Sequence, residues 1–348
     1  MPTDSQLLGH RPRYVEKSIE LFIRSSGFIV IGSLVLIFVF VAKEALPLLT
    51  SSTVHEEVTI PSMLLPRTDN TESLPPDPTL GQKMDAWFPW QPVSTKPKYS
   101  LLPLVIGTLK VTFVALLIAI PIAIAAAIFT SEFAPQGVRE FIKPAVEILA
   151  GIPSVVVGFF ALMVLATFLQ DTFGLLMRLN AITAGVALSL AVIPIVYTVA
   201  EDALSAVPQT FRDGSHALGA NRWQTAWRVA MPAAMPGVFA ACVLGAGRAI
   251  GETMIVLMSS GNAATCSFDP TESFRTFSAT IAAELGDAPH GSPHYHVLFF
   301  IGAFLFIITF VLNMIGHWYV ARVRDRLAGK AKRKMTDPTP EAVPELEG

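Results

Sequence analysis

DGSHALGANRWQTAWRVAMPAAMPGVFAACVLGAGRAIGE, residues Asp213 to Glu252, is the stretch around which the rest of the chain is organised. Its first half is polar and amphipathic. Trp223 and Trp227 stand four apart and share one helix face. This half is expected to stop at Met231-Pro232, because Pro232 has no N–H to donate and so begins the next helix. The second half is an apolar run that carries Arg248 and Glu252 deep inside it. A surface for the aqueous phase and an ionisable pair for the hydrocarbon phase lie on one continuous segment. That arrangement suits a machine that converts a push in one phase into movement in the other.

The flanking sequence supplies the membrane scaffold. Of 348 residues, 52% are hydrophobic and 15% charged, against about 25% charged in soluble domains. The deficit is local. Six uncharged runs reach the roughly 20 residues that cross a bilayer: Ser25–Ala42, Val111–Phe129, Ile148–Gln170, Ala181–Ala200, Val229–Gly247 and Val297–Ala321. Six spans put both termini on one side. That side holds sixteen Lys and Arg residues, from Arg11, Arg13, Lys17 and Arg24 through Arg139, Lys143, Arg212, Arg222 and Arg228 to the seven between Arg322 and Lys334. The other holds seven: Lys43, Arg67, Lys83, Lys96, Lys98, Arg178 and Arg275. The positive-inside rule therefore places both termini in the cytoplasm. A net charge of −2 gives no reason to expect nucleic acid. The two cysteines, Cys242 and Cys266, suggest neither a disulfide nor a metal-thiolate site. No phosphate-binding G-x-x-x-x-G-K-[ST] loop occurs, so if ATP drives the protein another chain binds it.

In order, residues 1–24 form a basic cytoplasmic lead-in and 25–43 a first, uncleaved transmembrane helix. Residues 44–100 form an irregular extracytoplasmic loop with Pro75-Pro76-Asp77-Pro78; its Trp87 and Trp90 read as an interfacial belt or as a contact for a soluble partner. Residues 101–321 form a five-helix core with a cytoplasmic coupling loop at about 205–232, and 322–348 a disordered cytoplasmic tail. Within the core, Lys110 is expected to snorkel to water and Gly219 to permit a close backbone approach. Thr130–Pro144 reads as a short link, Gly151-Ile152-Pro153-Ser154 as a packing kink, and Pro194 as a break in the fourth helix. His290, His294 and His296 lack thiol or paired carboxylate neighbours and read as an interfacial loop, not a metal site.

Arg248 and Glu252 are the chemical centre. An arginine in a span costs at least ~2.5–3.5 kcal/mol on insertion scales, so such residues usually face a cavity and act on substrate. Guanidinium presents a planar, permanently charged fork that matches the oxygens of a tetrahedral anion. Glu252 holds the fork, or accepts the proton that hydrogen phosphate carries and sulfate lacks. A purely structural salt bridge stays open as the alternative.

Asp213-Gly214-Ser215, three residues, Gly219, nine residues, then Val229-Ala230-Met231-Pro232 resembles the signature of ABC-importer permeases, Glu-Ala-Ala, three residues, Gly, nine residues, Ile-x-Leu-Pro. The resemblance implies an all-α integral membrane protein of the type I importer (MetI-like) permease fold, with six transmembrane helices. It also implies a coupling helix that docks on a separate ATPase, through Asp213, Gly214, Ser215, Gly219, Trp223, Trp227 and Pro232. A surface-lying amphipathic helix is the bland alternative. Gly247-Arg248-Ala249-Ile250-Gly251-Glu252-Thr253-Met254 and Gly261-Asn262 are similar to the phosphate-specific, PstC-type permeases. So are Ala150-Gly151-Ile152-Pro153-Ser154-Val155-Val156, Gly158-Phe159-Phe160, Thr280-Ile281-Ala282 with Glu284, and His294-Tyr295-His296. The likeness spans Leu101 to Trp318, and the 44–100 loop departs from shorter members. It implies a subunit that performs no chemistry and needs no cofactor or metal, with Arg248, Glu252 and Thr253 on the substrate path. Its implied partners are a PstA-type permease, two ATP-binding PstB-type subunits and an extracytoplasmic phosphate-binding protein. Three rivals remain: a permease for another oxyanion (sulfate, molybdate or phosphonate), an ATP-independent anion transporter, and a structural membrane anchor.

Overall fold

The computed structural model describes residues 14–55, 57–67, 78 and 80–336, with side chains at 18–51, 54–55, 57–67, 78 and 80–322. Arg11, Arg13, Pro75-Pro76-Asp77 and the acidic tail beyond Thr336 lie outside the described residues. Among the described residues, six helices are long and apolar enough to cross a membrane: Ser18–Thr50, Leu102–Phe133, Ser154–Phe173, Ala181–Ser205, Arg222–Gly251 and Pro293–Arg322.

The fourth span is the centre of the bundle. Its apolar window is 56% buried, against 0% for the first span and 11% for the sixth. The reason lies in small residues. The second span presents Ala115, Ala119, Ala123 and Ala127 as a buried row at four-residue spacing, against Ala184, Leu188, Val192 and Val196 of the fourth. Lipid tails are as apolar as leucine, so helices in a bilayer associate by close van der Waals contact, which small residues permit. Gly245 of the fifth span completes the layer: a Cβ there would meet Val196 Cγ2 at 2.5 Å. The first span leans on the sixth through Phe38–Phe306 and Phe40–Phe299 ring pairs at 5.1 and 5.8 Å, and leaves most of its surface open to lipid.

Several local expectations are corrected. Pro194 does not break the fourth helix, which runs unbroken from Ala181 to Ser205; the proline only removes the N–H that would bond the Leu190 carbonyl. Pro232 sits in the first turn of the helix Met231–Gly251, as expected, but the preceding segment does not stop there: the helical backbone runs into it from Arg222 through a wide π turn at Ala226–Ala230. The supposed link Thr130–Pro144 contains most of an amphipathic elbow helix, Gln136–Ala150. Arg139 and Lys143 of that helix both reach the buried carboxylate of Glu201, each at 2.6 Å, and pin it to the fourth span. Gly151–Pro153 is the corner between the elbow and the third span, so the apolar run from Ile148 crosses two helices.

At the opposite end, the outer loop folds down on the bundle instead of standing away from it. Short helices at Ile60–Leu64 and Leu80–Trp87 and a two-residue ribbon pairing Trp90 with Tyr99 and Gln91 with Lys98 cover a second apolar cluster, which includes Met63, Leu104, Phe277 and Leu298. Trp90 is therefore neither a lipid belt nor a surface contact: it is buried and donates its indole N–H to Glu284 at 3.1 Å. Lys110 does not snorkel. Its ammonium donates to the carbonyls of Ser267 (3.0 Å) and Asp269 (2.9 Å) above the Phe274 ring, anchoring the 260–276 loop. The three histidines part ways. His290 packs on Tyr295, His294 stacks on Tyr99 beside Glu284, and His296 bonds the Glu44 carbonyl at 2.7 Å. Both cysteines are free.

Candidate functional site: a broken fifth span and its helical arm

The fifth span stops at Gly251. Glu252 is extended (φ −69°, ψ 131°), and the chain re-enters a short helix at Met254–Ser259. This break decides the geometry of the ionisable pair. Glu252 folds back under the last helical turn and takes Arg248 Nη2 on its Oε2 at 3.1 Å. The carboxylate side chain is 3% exposed and the guanidinium 48%. A charge buried alone would be costly, and one buried beside its counter-ion is held in place. Guanidinium has five N–H donors, so one contact leaves a positively charged face looking outward.

What it faces is a cleft of about 510 Å³, walled by apolar groups such as Ile152, Val157, Phe160 and Ile195, with the Ser154 hydroxyl residue at its edge. Leu190, whose carbonyl receives no i+4 bond from Pro194 because proline has no N–H, also lines this cleft. Low-dielectric walls strengthen the pull of the guanidinium on an anion. The Glu252 backbone is fixed from behind: Ser278 Oγ, on the helix Phe277–Glu284, donates to its carbonyl at 2.8 Å. Glu284, at the far end of that helix, binds Arg275 and Trp90 and so ties it to the outer loop.

Arg248 and Glu252 are thus brought together, and Thr253 is not. Its hydroxyl turns to the Gly251 carbonyl at 3.4 Å, and it lines a separate hollow with Ser278, Ile281 and Ala282. Ser154, Ile152 and Ser278 join the site, the first two from a segment whose sequence reads as a packing kink. The local pattern around Gly151-Ile152-Pro153-Ser154 carried a family likeness but no charge to mark it. Ser278 is separated from Glu252 by 26 residues and carried no signal at all.

The segment before the fifth span forms a helical arm, Gln209–Ala217, that turns sharply into Arg222. Gly219 has φ +84°, and a Cβ on it would meet nothing within 4 Å. No part of the chain itself approaches Gly219 closely, and within the chain the glycine serves the turn. Its N–H bonds the His216 carbonyl (2.9 Å) and that of Ala220 bonds Ser215 (3.1 Å), the paired bonds of a Schellman C-cap with a left-handed residue past the helix end. Asn221 and Gln224 then cap the next helix reciprocally, and Ser215 and Thr225 hydroxyls join the two limbs at 3.0 Å. Asp213, Gly214, Gly219, Trp223, Trp227 and Pro232 are exposed and Ser215 is half-buried. The two indoles pack at 5.7 Å, with Phe133 against Trp223. Phe211 and Leu218 project on the side of the arm that carries Ser215 and Gly219.

Residues 119–329 match the family described as binding-protein-dependent transport system inner membrane component. The probable ABC transporter permease protein YqgH of Bacillus subtilis (strain 168) is 35% identical over 233 residues, 67% of this chain and 75% of that one. The phosphate transport system permease protein PstC of Mesorhizobium japonicum is 34% identical over 256 residues, 68% of this chain and 77% of that one. A chain in the crystal structure of a bacterial alginate ABC transporter in complex with alginate pentasaccharide-bound periplasmic protein superposes with a TM-score of 0.53 at 16% identity, covering 89% of this chain and 98% of its own. That last likeness is one of fold. With well over half of its 348 residues matched and six candidate spans, the chain belongs to the binding-protein-dependent transport system inner membrane components, as a multi-pass ABC-importer permease of the inner membrane.

Proposed function

We propose that the chain is the PstC-type permease of a phosphate importer, working with a PstA-type permease, two PstB-type ATPase subunits and an extracytoplasmic phosphate-binding protein, with both termini cytoplasmic. The observation that carries the substrate reading is the buried Glu252 carboxylate holding a half-exposed Arg248 at 3.1 Å in an otherwise apolar cleft. The likeness to PstC permeases supports it.

Arg248 offers phosphate a fork of donors. Glu252 turns Oε2 to Arg248, and its other oxygen accepts the hydroxyl of hydrogen phosphate, which gives preference over sulfate. Thr253 borders the path from the neighbouring hollow. Closure of the ATPase subunits pushes the arm at Asp213, Gly214, Ser215, Gly219, Trp223 and Trp227. Because the helix is continuous through Pro232 up to Gly251, that push reaches Arg248 along one rigid element, and the spans rock around the site.

The test is phosphate uptake in cells lacking their own high-affinity system, supplied with this chain and its companion subunits. Arg248→Lys keeps the charge and loses the fork. One charge-assisted hydrogen bond is worth about 1.5–3 kcal/mol, so uptake is expected to fall roughly ten- to a hundredfold while the complex assembles. Excess sulfate is expected to leave wild-type uptake unchanged. Competition by sulfate moves the substrate to another oxyanion, and normal uptake by the lysine variant removes Arg248 from the path.

A further inference from the structure

A second cleft, of about 410 Å³, lies between the arm and the ends of the second and fourth spans. Its lining is polar and includes Arg139, Arg212, Arg222 and His216. These cations are not equivalent. Arg212 is fully committed: it donates to both oxygens of Glu132 and to the carbonyls of Leu204 (2.9 Å) and Val207 (2.6 Å), closing the end of the fourth span. Arg139 spends Nη2 on Glu201 and on Ser205 Oγ, both at 2.6 Å, which leaves its Nε and Nη1 edge unused. Arg222 forms no ion pair among the described residues, and its side chain is exposed at the mouth of the cleft. His216 engages the Ala220 carbonyl through Nδ1 and keeps Nε2 available.

The charges do not balance. Of the lining residues, Arg139, Arg212 and Arg222 carry three positive charges and Glu132 one negative, an excess of two around one concavity. Concave sites of one sign concentrate counter-ions, and guanidinium edges beside hydroxyls match a tetrahedral oxyanion. The cleft is also on the wrong side of the arm to be the docking face. Arg212 and His216 point into it, whereas Phe211, Ser215 and Leu218 line the opposite hollow.

We infer that this cleft is a second anion site, binding inorganic phosphate between Arg222 and the free edge of Arg139. The inference rests on phosphate being the cargo and gives the anion a receiving station at the arm end, after Arg248. Because the arm helix forms one wall, a bound anion braces the arm against the second and fourth spans.

The test uses the intact complex of permease and ATPase subunits in lipid nanodiscs, without nucleotide or binding protein. It is titrated with radiolabelled inorganic phosphate at ionic strength held constant with chloride. Two classes of site are expected. Arg222→Gln weakens one class by about ten- to a hundredfold, the worth of a charge-assisted hydrogen bond, and spares the other; Arg222→Lys retains part of the binding. Arg248→Lys does the reverse. An isotherm that Arg222→Gln leaves unchanged overturns the proposal, as does a single class that Arg248→Lys alone removes. Loss of the ATPase subunits from the Arg222→Gln complex overturns it too, by making the cleft a docking surface. If Arg222→Gln removes one class and Arg248→Lys removes none, the cleft stands and the reading of Arg248 falls.

Discussion

Gly219 separates two explanations for a glycine at the turn of the helical arm. Bulk does not explain it, since a Cβ would meet nothing within 4 Å, so the requirement is the backbone at φ +84°. An L residue with a Cβ pays ~1–2 kcal/mol there, least for asparagine, which visits this region readily. Two hydrogen bonds depend on that dihedral, Gly219 to His216 and Ala220 to Ser215, and with them the angle between the arm and the fifth span. Gly219→Val is therefore expected to reduce the population of the native turn by about 5- to 30-fold. Gly219→Asn, of similar size, is expected to lose only a few tenths of a kcal/mol. The assay is paired: hydrogen exchange of the Gly219 and Ala220 amides in the purified complex, and retention of the ATPase subunits with phosphate uptake. Valine should accelerate exchange and weaken retention together, and asparagine should leave both near wild type. Equal damage from the two variants would refute the reasoning, because it would mean that side-chain volume at a docking surface is what matters. Unaltered exchange in the valine variant would refute it as well.

Three further outcomes follow from the geometry. Glu201→Gln strips the shared partner from Arg139 and Lys143. Breaking a buried pair costs ~3–5 kcal/mol, but these two cations are 37% and 39% exposed and rehydrate, so a loss of about 1–2 kcal/mol is expected, read as roughly tenfold faster exchange across Gln136–Ala150. Ser278→Ala leaves the Glu252 carbonyl without its 2.8 Å donor; an uncompensated group costs at least ~1 kcal/mol, and about fivefold slower uptake at unchanged complex yield is the outcome to look for. Burial, helped by Glu57 and Glu284, pushes the Tyr99 hydroxyl up to about 12. The folded state therefore holds this proton more tightly than the unfolded chain, which releases it near ~10. The resulting stabilisation is complete below pH ~10 and is lost as pH rises through about 12. Trp90, edge-on to Tyr99 at 5.6 Å, reports the change by fluorescence, and Tyr99→Phe should abolish the alkaline transition; a transition that survives in the variant belongs to another group.

Six helices long and apolar enough to cross a membrane are legible in the sequence, because hydrocarbon thickness demands apolar runs of a given length and the chain supplies six. The sequence also pairs Arg248 with Glu252, since a spacing of four is a contact wherever a helix, or its first residue past the end, folds back on itself. Proline was the least reliable local guide. Pro194 read as a break, yet it sits inside a continuous helix, and Pro232 opens its helix without stopping the segment before it, since a freed carbonyl inside a span can be satisfied by its neighbours. Only the tertiary structure decided which charge is buried. Glu252 is enclosed and Arg248 left facing a cleft because the chain breaks at Gly251 and Ser278, 26 residues away, closes over it. The same holds for Trp90 on Glu284, Lys110 on Ser267 and Arg139 on Glu201, pairs 194, 157 and 62 residues apart. Helical period constrains neighbours within about a turn. Partners across such distances are chosen when the spans pack, where each buried polar group takes whichever partner the folded neighbourhood offers.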